Sequence, residues 1–248
     1  MMDRVESFLE ARIEGFFNRR FSTHLEPAEL IRGLKKEVRK NAGGGNLPNA
    51  YVFSLSAEDY QRLCSHRIVD ELGIALKKHM IRADLTMDGR LDISFVFDEA
   101  IRAGSYRLTS HIQDHRIRMN AAPSECASLV RTIVLERPSG FDVRHLSPPP
   151  AHELAVLRVM SGADMGFSMA IGEKTVYMGR MPRNEFILTD TNISRLHAWI
   201  VYEQHRHTLY DAQSRNGTFV EGARISSCRL RDGDELQLGT TTLRYEAL

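Results

Sequence analysis

The sequence predicts two folded units of different class: an α+β domain over residues 1–110 and an all-β sandwich over residues 153–248. A linker at 111–152, proline-rich at its end, joins them. Three observations carry this. Before residue 110, apolar residues recur at both helical and strand spacing. After Leu154 the helical spacing disappears, and short strand-like runs alternate with Gly162, Gly172, Asn216-Gly217, Glu221-Gly222, Asp232-Gly233 and Gly239. Between the two regions, Pro148-Pro149-Pro150 fits neither a helix interior nor a central strand.

Taken in order, Val5, Phe8, Leu9, Ile13, Phe16 and Phe17 follow the i, i+3, i+4 rule of an amphipathic helix. Glu26-Pro27 opens a second helix, proline being tolerated in its first turn, with Leu30, Leu34 and Val38 on one face. Asn41 to Asn46, with three consecutive glycines, cannot continue it and is expected to be a mobile loop. Tyr51–Leu55 reads as a strand. Ser56 and Asp59 form a capping pair for one helix running to about Met80. Leu91, Ile93, Phe95 and Phe97 alternate along a half-buried strand, and Gly104–Ser110 is a second strand expected to pair with it. Residues 111–152 have weak periodicity, interrupted by Pro123 and Pro138; Val130–Leu135 fits a short strand or helix. The triple proline favours a stiff polyproline II end to this linker. Nine strand candidates follow, at Leu154–Met160, Phe167–Ile171, Thr175–Met178, Phe186–Leu188, Ala198–Tyr202, Thr208–Tyr210, Thr218–Val220, Glu235–Leu238 and Thr242–Tyr245. A β-sandwich built from them gathers its binding loops at one end.

Composition excludes some function classes. The 248 residues carry a formal charge of +1, with 22 basic and 20 acidic residues up to His152 and 11 and 12 beyond it. Neither half is a polycation, so any anion site must be built from a few placed groups. Cys64, Cys126 and Cys228 are scattered, which argues against a disulfide framework or zinc ribbon and suits a reducing compartment. No leader or membrane span is visible, so the expected location is the cytoplasm, with any recruitment to the inner face of the membrane made through a partner.

Three fragments carry the chemistry: Gly179-Arg180, Ser194-Arg195-Leu196-His197 and Ser214-Arg215-Asn216-Gly217-Thr218. Arginine forks match phosphate oxygens in geometry and charge, a serine hydroxyl adds a short donor, and an asparagine amide can both donate to and accept from a peptide main chain. In this order, with Asn184–Leu188, Asp211 and Asp232–Glu235, the fragments resemble the signature of the forkhead-associated (FHA) family. The resemblance covers Leu154 to Leu248 and implies an FHA sandwich of about eleven strands that binds phosphothreonine peptides. It implies that Arg180, Ser194 and Arg195 hold the phosphate, that Asn216 holds the peptide backbone, and that Gly179, His197 and Gly217 are structural. Arg215 stands where the family often has threonine. Its guanidinium either grips the phosphate or points into solvent, and the sequence leaves both open. Glu221, where asparagine is usual, is compatible with a hairpin turn.

Other readings are weaker. Ser194 and His197 lack the third partner of a nucleophile triad, and Gly166–Ala170 ends in alanine where a nucleophile elbow needs glycine. His111 and His115 have helical metal-ligand spacing but no completing ligand, and Gly43–Gly45 lacks the Lys-Ser/Thr of a phosphate loop. Neither an enzyme nor a cofactor or metal is implied. Thr189 and Thr191 are candidate phosphorylation sites.

In the first half, Ser7–Phe17, Glu26–Arg32, Pro48–Tyr51 and Leu55–Tyr60 are similar to the N-terminal domain of actinobacterial FhaA-type proteins. That resemblance implies a signalling adaptor in a Ser/Thr-kinase pathway, with partners in cell-envelope synthesis. The FHA domain would bind a phosphothreonine-bearing kinase or kinase substrate, and the N-terminal domain would recruit a second protein or self-associate. The alternative is an N-terminal domain that binds nucleic acid in a KH-like manner under control of the FHA domain. No GxxG clamp loop is present and the basic surplus is slight, so nucleic acid is not the expected partner.

Overall fold

The computed structural model describes residues 25–43, 46–113 and 152–248. The expected helix from Val5 to Phe17, the Val130–Leu135 element, the triple proline, His115 and Cys126 lie outside these residues.

The first unit comprises α1 (Pro27–Asn41), β1 (Ala50–Leu55), α2 (Ala57–Leu63), α3 (His66–Arg82), β2 (Asp92–Phe97) and β3 (Tyr106–His111). Helix α1 begins as its sequence predicts: Pro27 fills the first turn, and the Glu29 carboxylate accepts the Glu26 N–H at 3.0 Å. It buries Leu30, Leu34 and Val38. The single helix expected from Ser56 to Met80 is two. After α2 the chain turns at Cys64-Ser65, where the Ser65 hydroxyl caps α3 by accepting the Ile68 N–H. A second correction concerns pairing. Gly104–Ser110 was expected to pair with the Leu91–Phe97 strand, but the sheet order is β2-β1-β3. The α2–α3 crossover returns β2 parallel to β1, and β3 pairs antiparallel on the other side. Strand β1 takes the centre because Tyr51, Phe53 and Leu55 are all fully buried. Phe97, expected on the buried face with Ile93 and Phe95, is exposed at the end of edge strand β2.

One carboxylate ties this unit together. Asp59 is completely buried and accepts the N–H groups of Leu25 and Gly104, the Ser56 hydroxyl and the Arg62 guanidinium. Burial alone would raise its pKa, but these donors hold it below the usual carboxylate value.

The second unit has eleven strands: β4 (Ala155–Ser161), β5 (Ser168–Ile171), β6 (Val176–Gly179), β7 (Phe186–Ile187), β8 (Ala198–Glu203), β9 (Arg206–Asp211), β10 (Thr218–Val220), β11 (Ala223–Ile225), β12 (Ser227–Arg229), β13 (Glu235–Leu238) and β14 (Thr241–Ala247). One sheet runs β11-β10-β13-β14-β4-β5 and the other β12-β9-β8-β6-β7. Leu157, Met178, Phe186, Ile200, Leu209, Leu236 and Leu243 fill the space between them. The nine expected strands are present, and β11 and β12 are additions. Glu221 and Gly222, both at positive φ, make the tight turn that joins β10 to β11.

The two units touch. The β8–β9 hairpin turns on Gln204 and His205, both at positive φ without being Gly or Asn, and the Asp84–Gly89 loop grips this turn. Met87 N–H donates to Gln204 O, the Gln204 amide to Asp88, and His205 Nε2 to Gly89 O at 3.0 Å. Arg206, fully buried, donates to Asp84 and to Leu230 O, and Arg231 also reaches Asp84. Ile81 of α3 packs into the sandwich core, and Lys77 pairs with Glu173. This joint lies at the Glu203–Arg206 end of β8 and β9, whereas Ala198 and Asp211 mark their other end.

Candidate functional site

At that other end the sequence brings three connections together: residues 180–185, 188–197 and 212–217. They line a cleft of about 850 Å³. Of the residues singled out from sequence, Arg180, Ser194, Arg195, Arg215 and Asn216 all line it. Arg183, Thr191 and Asn192 line it too. No Asp or Glu does.

Gly179 shows why the first connection takes its path. Its φ is +158°, and space is short as well. A Cβ there would sit 2.5 Å from Arg195 O and 2.9 Å from Ser194 O. The close approach lets Arg180 N–H donate to Ser194 O, Met181 N–H to Arg195 O and His197 N–H to Met178 O. Asn184 adds its side-chain amide to Arg195 O at 2.8 Å. Arg180 and Arg195 are thus carried on two segments zipped together by their main chains, with both side chains exposed.

His197 braces the other two connections. It is fully buried, its Nδ1 accepts Ser194 N–H at 3.1 Å, and its Nε2 donates to Gly217 O at 3.2 Å. The two partners fix the tautomer, since one offers a proton and the other a lone pair. Burial lowers its pKa, so the ring is neutral at pH 7. The imidazole engages the main chain of Ser194 and not its hydroxyl, so this pair has no nucleophile–base geometry. Ser194 Oγ instead accepts Arg215 N–H at 3.1 Å, which leaves the hydroxyl proton to donate into the cleft. Gly217, at φ +82°, supplies the left-handed turn that presents its carbonyl to His197.

Asn216 donates to Asn192 O at 2.7 Å, fastening the third connection to the second. Behind it lies a chain the sequence did not disclose. Buried Asp190 accepts Asn192 N–H, Thr240 N–H and the Thr240 hydroxyl. Burial opposes its ionisation, but the donors win and bring its pKa to about 2. Asp211 plays the same part for the third connection through Ser214 and Thr218, and its pKa is lowered as well. Of the candidate phosphorylation sites, Thr191 lines the cleft, while Thr189 is hydrogen-bonded to Asp164.

The remaining motifs resolve simply. Ser168–Ala170 lies within β5, which excludes a strand–turn–helix elbow there. Among the described residues no group of His, Cys, Asp and Glu could hold a metal ion, and no helix is long and apolar enough to cross a membrane.

A two-sheet sandwich with this loop constellation defines an FHA-type fold. The FHA domain model matches residues 176–239, and the model of the FhaA N-terminal domain matches residues 2–109. The chain belongs to the FHA-domain family, as a member of the FhaA type. It is similar to the oxoglutarate dehydrogenase inhibitor of Corynebacterium jeikeium, with 30% identity over half of this chain and 89% of that one. To the glycogen accumulation regulator GarA of Mycolicibacterium smegmatis it is 34% identical over 37% of this chain. That match spans 58% of GarA's length, and the match to Mycobacterium tuberculosis GarA spans 59%. Among solved structures, an FhaA FHA domain complexed with the intracellular domain of Rv3910 is 30% identical over 37% of this chain and 99% of that one, with a TM-score of 0.35.

Proposed function

We propose that this chain is a phosphothreonine-peptide binding adaptor of Ser/Thr-kinase signalling. Arg180, Ser194 and Arg195 take the phosphate and Asn216 takes the peptide main chain. The observation that carries the reading is the convergence of these four residues in one cleft, on loops tied to one another and with no acid among the described lining residues. Each charge-assisted bond to phosphate adds about 1.5–3 kcal/mol, so two or three of them separate a phosphopeptide from its unmodified form. The FHA unit occupies residues 153–248 and the FhaA-type unit 1–110. The latter, docked at the far end of the sandwich, is free to recruit a second protein or to self-associate. Its FhaA-type character points to a partner in cell-envelope synthesis on the cytoplasmic side of the membrane, reached through that partner. The KH-like alternative gains no support, since the described residues offer no GxxG loop.

The test is titration of a phosphothreonine peptide library, with unphosphorylated and phosphoserine controls, into wild type and Arg180→Ala. Selective phosphothreonine binding, weakened at least tenfold in the variant, is expected. Folded wild-type protein that binds no phosphopeptide would overturn the proposal.

A further inference from the structure

We infer that the cleft is built for a peptide carrying a second anionic group next to the phosphothreonine. The inference rests on the phosphothreonine reading above and deepens it.

Four arginines line the cleft: Arg180, Arg183, Arg195 and Arg215. Among the described residues none of them is paired with a carboxylate. Elsewhere in the same unit Arg158 pairs with Glu246, and Arg206 and Arg231 share Asp84. Lys174, Arg224, Arg229 and Arg244 also lack a carboxylate partner among the described residues, so the cleft is set apart by gathering four guanidinium groups on one lining. A phosphothreonine brings about −1.5 to −2 charges. Four guanidinium groups bring twice that, so a singly phosphorylated peptide with neutral neighbours leaves roughly two positive charges unanswered.

The four divide by position. Arg180 and Arg195 stand on the two segments zipped together beside Gly179. Arg215 comes from the facing connection, where its own N–H is anchored on Ser194 Oγ and the next residue, Asn216, on Asn192 O. Arg183 sits on the turn closed by Asn184 N–H to Met181 O. The flanking pair is thus rooted in braced backbone. A peptide whose phosphate reaches Arg180, Ser194 and Arg195 passes Arg183 or Arg215 as it leaves. A guanidinium so placed pairs with a planar carboxylate or a phosphate, and either anion supplies the missing charge.

Three kinds of peptide on one parent sequence decide the matter. One carries phosphothreonine with alanine neighbours, one has glutamate at each neighbouring position in turn, and one has a second phosphothreonine there. Each is titrated at low ionic strength into wild type, Arg183→Ala/Arg215→Ala and Arg180→Ala. The readout is the affinity ratio between the doubly and singly anionic peptides, in which any general weakening cancels. A ratio of about five in wild type, falling to about one in the double variant, is expected. A gain limited to the second phosphate identifies a doubly phosphorylated segment; an equal gain from glutamate identifies an acidic one. A wild-type ratio near one, with the singly phosphorylated peptide bound, overturns the inference and leaves the phosphothreonine reading standing. If wild type binds none of the three peptides, both fall.

Discussion

Replacing His197 with alanine removes the imidazole that braces two of the cleft's three connections. The ring accepts Ser194 N–H and donates to Gly217 O while fully buried, so its loss strands one donor and one acceptor away from water. Each orphaned group costs about 1–3 kcal/mol, and the vacated ring volume adds to this. The unfolding free energy should fall by about 3–5 kcal/mol, read from urea titrations. Affinity should fall separately. Ordering one residue costs about 1–2 kcal/mol, and one residue in each freed connection must now be ordered by the peptide. The sum, roughly 2–4 kcal/mol, weakens phosphopeptide binding on the order of a hundredfold. The assay is calorimetric titration at a temperature where circular dichroism shows the variant folded. Affinity within about threefold of wild type would refute the reasoning, because the connections would then be held by Asn184 and Asp211 without His197.

Two further outcomes follow from groups outside the cleft. Asp84→Asn keeps a residue that tolerates the positive φ there but removes the charge facing buried Arg206. Asp84 is half exposed and Asn retains one acceptor, so the expected loss is about 2 kcal/mol, checked by urea unfolding; a change under about 0.5 kcal/mol would count against the joint. Acid should destabilise the fold through His207, whose burial pushes its pKa down to about 4. The unfolded chain takes that proton near pH 6.5 and the folded chain does not until about pH 4. Stability is therefore full above about 6.5 and lost as pH falls towards 4, by up to about 3 kcal/mol, with His197 and His205 acting in the same direction. A urea midpoint constant from pH 7 to 4.5 would contradict this.

Much of the cleft was legible because its residues lie in short fragments whose types follow from phosphate chemistry. Gly179 and Gly217 belong to those fragments, yet one is needed for space and the other for its dihedral. Arg183 escaped because a lone arginine on a turn looks like any surface charge. Asp190 escaped because its partner Thr240 is fifty positions away in sequence. Strands β11 and β12 are largely exposed edge strands, so no apolar alternation marks them. The break at Cys64-Ser65 is silent because apolar spacing continues across it. The order β2-β1-β3 depends on which strand is buried most, a property of the assembled core and not of any local run.

Arg206 also bears on modularity. Its charge sits inside the sandwich, but the carboxylate that answers it belongs to the first unit. Removing the first unit would take away the carboxylate paired with this buried guanidinium and bare the apolar surface that Ile81 covers. The FHA unit of this chain is therefore not an interchangeable cassette. A fragment starting near residue 153 should be less stable than the intact chain, and grafting it onto another protein would require an acid to replace Asp84.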